Sequence, residues 1–135
     1  MITEDYVSFE VAKLLKEKGF GFDAYVRSYY EKDKYRTKEE FSTGNELWNY
    51  NISSFRYSAP TLQMAMKWLR MEHSLHCSVG YDFVLGWYCQ ITSLEETAGY
   101  DYEEMKHYHP DKDNGFSSPE EACEAAIKYC LENLI

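Results

Sequence analysis

The chain has 135 residues, 44% of them hydrophobic and 17% aromatic with thirteen tyrosines, and a formal net charge of −9. That length suits a single domain over residues 1–135 with one core, and the aromatic content argues against a disordered acidic tail. The net negative charge argues against direct binding to nucleic acid, whose phosphates are held by Lys and Arg.

In chain order, Ser8 stands before a helical apolar period at Phe9, Val11, Ala12, Leu14 and Leu15, with Lys13, Lys16, Glu17 and Lys18 opposite and Gly19 as the stop. Phe22, Ala24 and Val26 then alternate with Asp23, Tyr25 and Arg27, and Glu31-Lys32-Asp33-Lys34 ahead of Tyr35 predicts a hairpin turn. Residues 37–46 read as a loop, and Trp48, Tyr50 and Ile52, alternating with Asn49, Asn51 and Ser53, read as a half-buried strand. Ser58 is the expected cap of a middle helix with two stripes, Leu62, Ala65, Met66 and Leu69 on one and Met64, Trp68 and Met71 on the other. So little polar surface remains that central burial is expected for it.

After it, Cys77 and Val79 lead into a turn near Tyr81-Asp82-Phe83, and Leu85, Trp87, Cys89 and Ile91 continue on the buried face of a second hairpin. A centre near Phe83 sets Cys77 opposite Cys89. Residues 95–116 form a long loop that can hide a strand over Tyr100–His109. Ser118 opens a last helix, with Pro119 in its first position, Glu121 completing a capping box, and Cys123, Ala126, Ile127, Cys130, Leu131 and Leu134 in one stripe. The order is roughly αββαββα. Hairpins rather than crossovers imply an α+β fold, an antiparallel sheet with about three helices packed against it.

The segments Tyr57–Arg70 and Pro119–Leu131, together with Val7-Ser8-Phe9-Glu10, resemble those of small uncharacterised proteins of gut bacteria and their phages or mobile elements. The resemblance implies a cytosolic, mobile-element-associated setting and carries no activity or functional residue. A cytoplasmic location is also expected from the acids at Glu4 and Asp5, where a signal peptide needs positive charge, and from the lack of an apolar stretch of membrane-spanning length. Cys77, Cys89, Cys123 and Cys130 then read as reduced, buried thiols, with no C-x-x-C pair among them.

The charge is segregated. Between Glu95 and Glu124 stand ten carboxylates and two lysines, a net of 2 − 10 = −8, whereas the first 94 residues carry 12 acids against 11 bases. Such a band suits a basic partner. Its tyrosines add amphipathic contact area, and Tyr25, Tyr29 and Tyr88 are further expected surface tyrosines. The leading expectation is a non-catalytic protein-binding module that uses Tyr100, Tyr102, Glu103, Glu104, Tyr108, Asp111 and Asp113. The expected partner is another protein, a basic one included, with no membrane contact, and a homo-oligomer is compatible with the sequence.

Two alternatives stand beside it. His107 and His109 share a face if that segment is a strand, and with Asp111 they offer a divalent metal two nitrogens and an oxygen. In the other, a sharper variant of the binding reading, two regularly spaced rows of carboxylates imitate DNA and inhibit a nucleic-acid enzyme. His73, His76 and Cys77 make a weaker zinc suggestion, and Asp111–Gly115 fails the calcium-loop pattern in either register. No nucleophile motif or phosphate-cradling glycine loop is present, so neither a catalytic residue nor a cofactor is expected. The metal reading makes a firm demand: purified protein carries a stoichiometric divalent ion by elemental analysis and loses it in His107→Ala. A metal-free preparation removes that reading.

Overall fold

The structure, a computed structural model, describes residues 1–21, 26–32, 40–46, 49, 55–95, 106–108 and 115–135. The chain divides into two compact units, Met1–Gln63 and Met64–Ile135. The fold is α+β as expected, but the strands form two antiparallel sheets rather than one.

In the first unit, α1 (Phe9–Glu17) starts where its serine predicts: Ser8 Oγ accepts from Val11 N at 3.3 Å. Val11, Ala12 and Leu15 are buried, and Gly19 takes the left-handed φ of +91° that stops the helix. The sheet runs β2-β1-β3, from β1 (Val26–Glu31), β2 (Glu40–Glu46) and β3 (Arg56–Ser58). Two of these strands correct the sequence reading. Glu40–Glu46 lies in the stretch read as a loop because Glu-Phe-Ser-Thr-Gly-Asn-Glu has little strand propensity; it is an edge strand, where pairing to β1 alone suffices.

Ser58 is not a helix cap. It closes β3 with its backbone N–H donating to Asn49 Oδ1 at 2.9 Å, and α2 (Leu62–His73) begins four residues later. The predicted strand over Trp48–Ile52 lies outside the described residues apart from Asn49, as does Phe22–Tyr25.

Asn49 is buried, although the alternation put it on the solvent face. Its Nδ2 donates to Phe20 O at 3.0 Å while its Oδ1 accepts from Ser58, so one amide ties the turn after α1 to β3. Gly21, at φ +93°, lets the chain pass so close that a Cβ there would meet Asn49 Nδ2 at 3.3 Å. In the same unit Phe9 packs edge-on against Tyr30 and Tyr57, and the Lys16 ammonium sits over the Tyr57 ring at 4.7 Å while donating to Arg56 O. Burial lowers the Lys16 pKa.

In the second unit, β4 (Leu75–Asp82) and β5 (Gly86–Ser93) form the predicted hairpin, and β6 (Lys106–Tyr108) pairs with the other side of β5. The strand expected within Tyr100–His109 is thus present over three residues. The hairpin centre falls at Val84, one residue beyond the expected Phe83, because Asp82 and Gly86 are the closing pair. That shift moves Cys77 opposite Ile91 and Cys89 opposite Val79. Leu85, expected on the buried face, becomes a turn residue. Gly80 faces Tyr88 across the ladder, with the Tyr88 ring filling the space a Cβ would occupy.

Helix α3 (Pro119–Tyr129) packs on β4 and β5. Ser118 Oγ accepts from Glu121 N at 3.1 Å, as the cap pattern predicts, but the Glu121 carboxylate takes the hydroxyl of Ser117 instead of completing a capping box. Ala122, Cys123, Ala126, Ile127, Cys130 and Leu131 are buried as a stripe, and the helix ends in a π turn over Cys130–Leu134. On α2, Leu62, Ala65 and Leu69 are buried, whereas Met64 and Met71 are exposed, so the expected central burial of the second stripe does not occur. Among the described residues no helix is long and apolar enough to cross a membrane.

Replacing Asn49 with Ala takes the acceptor from the buried Ser58 N–H and a donor from the Phe20 carbonyl. Thermal or urea denaturation should show a loss of about 1–3 kcal/mol, the cost of an orphaned buried group. A loss below about 0.5 kcal/mol would mean that water reaches the Ser58 N–H.

Candidate functional site

The residues proposed from sequence fall mostly outside those described. Tyr100, Tyr102, Glu103, Glu104, His109, Asp111 and Asp113 are among the undescribed ones, whereas His107 and Tyr108 lie in β6. The ladder sets His107 opposite Gln90 and Tyr108 opposite Cys89, so the middle of the acidic stretch is tied to the edge of the second sheet. Of the ten carboxylates in that stretch, Glu95, Glu120, Glu121 and Glu124 are described. Glu95 is exposed just beyond β5, and Glu120 and Glu121 are exposed in the first turn of α3. Acids there are favoured by the positive end of the helix dipole.

The other sequence suggestions do not converge. The His73 ring packs against Trp68, centroids 4.7 Å apart, while His76 stands within β4 and Cys77 contacts Cys130. Among the described residues no group of three or more His, Cys, Asp or Glu side chains is placed to hold a metal ion.

The four thiols are buried and unpaired by disulfides, as read from the sequence. Cys77 and Cys130 bring their sulfurs to 3.8 Å, and Cys123 Sγ donates to Met66 Sδ at 3.4 Å. The thiol–thiol hydrogen bond to Cys130 and then burial push the Cys77 pKa well up, and burial pushes Cys123 up to about 12. A thiol held protonated is no nucleophile at neutral pH. These residues pack α3 onto the β4–β5 ribbon.

The described residues do present a feature that the sequence reading missed. At the β4–β5 turn Phe83 is 93% exposed and Val84 84%, with Tyr81 and Leu85 also exposed beside them. The signal was available: Asp82 and Gly86 bracket Phe83-Val84-Leu85, and such a bracket marks those three as the loop. The turn is held from both sides. Asp82 Oδ1 accepts from Val84 N at 2.8 Å and Leu85 N at 2.9 Å, Gly86 takes φ +92°, and Gly115 and Phe116 donate their N–H groups to Leu85 O and Trp87 O.

Compared with protein-family models, with curated proteins and with solved structures, the chain matches none.

The protonated thiols set a pH dependence. With pKa values raised above the free-thiol value of 9.0, the folded state binds more protons than the unfolded state above that pH. This contribution to stability is whole below about pH 9 and declines as pH climbs toward about 12. Urea midpoints should be level from about pH 7 to 8.5 and fall beyond, and Ellman's reagent should label the thiols only after unfolding. Rapid labelling of native protein at neutral pH would show accessible thiolates.

Proposed function

We propose that the protein is a non-catalytic binding module whose acidic, tyrosine-containing stretch, Tyr100–Asp113, docks a basic surface of another protein. The observation that carries this reading is the charge segregation, −8 of the −9 within residues 95–124. Support comes from the way that stretch is anchored. Its middle pairs with β5, and its two ends carry exposed carboxylates at Glu95 and at the start of α3. Opposed charge of this kind steers encounter and sets partner choice. The setting that goes with this reading is the cytoplasm of a gut bacterium or of the host of its mobile elements, as the helix segments suggest.

The test is a low-salt pull-down from such a cell, followed by reversal of Glu103, Glu104, Asp111 and Asp113 to Lys. The recovered partner should be stoichiometric and basic, and its affinity should fall roughly tenfold or more in the reversed variant and also as salt is raised. A partner that stays bound through both changes would sink the proposal.

A further inference from the structure

A hairpin turn is normally polar, because its residues face water on every side. The β4–β5 turn instead carries Phe83, Val84 and Leu85 in succession, flanked by Tyr81, whose ring meets Trp87 at 5.0 Å. Among the described residues of the second unit the core is filled by Cys77, Cys89, Ile91 and the α3 stripe, without these side chains. The turn is also prebuilt, by the two bonds to Asp82 and by the Gly115–Phe116 strap. A Cβ on Gly115 would run into Leu85 O and Trp87 O, so the strap can lie this close only with glycine there. A rigid aromatic and aliphatic tip loses little entropy when it is buried, which is the property of an anchor residue.

The surroundings define what can receive it. Along β4, the turn and β5 there is no Lys or Arg, and the turn itself holds Asp82. The strap from Phe116 leads within three residues into α3, whose exposed Glu120 and Glu121 add negative charge on that side. An anionic lipid surface would repel such a neighbourhood. A second copy of the chain would bring the same carboxylates together.

We propose that the β4–β5 tip, Tyr81, Phe83, Val84 and Leu85, is an anchor that enters an apolar cleft rimmed by Lys or Arg on a partner protein. This rests on the protein-binding reading and adds to it the anchor and the chemistry of the receiving surface. The acidic stretch steers and the tip holds.

The experiment uses the full chain and phage-displayed random peptides, selected at low salt against the wild type. The selected peptides are then titrated against the wild type, a Phe83→Asp/Val84→Asp variant and the Glu103, Glu104, Asp111, Asp113 reversal. Because both tip residues are exposed, the first variant should keep the wild-type circular dichroism and melting midpoint, and Phe83→Ser serves if it does not. The expected outcome is a set of peptides that combine apolar residues with Lys or Arg and lose about tenfold or more in affinity for the tip variant. Equal affinity for wild type and tip variant, or no selected peptide at all, overturns the anchor. If the charge reversal alone abolishes binding, the acidic-surface reading stands and the anchor falls; if the tip variant alone does so, the reverse holds. Tip-dependent sedimentation with phosphatidylcholine vesicles, or a tip-dependent dimer in solution, would also overturn it in favour of those occupants.

Discussion

The cover that α3 provides over the β4–β5 ribbon is the contact on which the second unit depends. A two-stranded ribbon does not hold itself together in water. This one is stabilised because Cys77, Cys89 and Ile91 on one of its faces are sealed by Ala122, Cys123, Ala126, Ile127, Cys130 and Leu131. The pieces are small: four of these nine side chains are thiols and two are alanines, so helix and sheet approach closely. The contact brings in a layer of sulfur atoms, of which Cys77 and Cys123 are held protonated by their surroundings.

The same contact explains how an apolar turn is kept in water. With α3 locked on the ribbon, the residues just before it, Gly115 and Phe116, are delivered to the backbone of Leu85 and Trp87. Core packing, the strap and the turn thus form one chain of causes, from the α3 stripe to the position of Phe83. The exposed tip is a product of a well-packed interior and not of a loose end.

The first unit solves a different problem by polar means. Its sheet has a short third strand, and the turn after α1 is tied to it by the amide of Asn49 in addition to the buried Phe20 side chain. A buried amide satisfied on both sides specifies one geometry, because a shifted turn would strand a donor and an acceptor together. The ring cluster of Phe9, Tyr30 and Tyr57, with Lys16 above it, then packs α1 against β1 and β3.

Local rules were legible in the chain wherever one residue and its near neighbours decide the outcome. Ser8 and Ser118 cap their helices, Gly19 stops α1, the α3 stripe is buried, and the α+β class follows from hairpin spacing. The position of the negative charge was equally a property of sequence. What needed the tertiary structure were the decisions made by partners distant along the chain. Ser58 is drawn into β3 by Asn49, Glu40–Glu46 becomes a strand because β1 offers an edge, and Met64 and Met71 on the second stripe of α2 stay exposed. The division of the strands between two sheets and the register that lifts Leu85 out of the core belong to the same class. A cap or a stop is settled within a few residues, whereas pairing and burial depend on which surfaces meet, and periodicity alone carries no address for the other side.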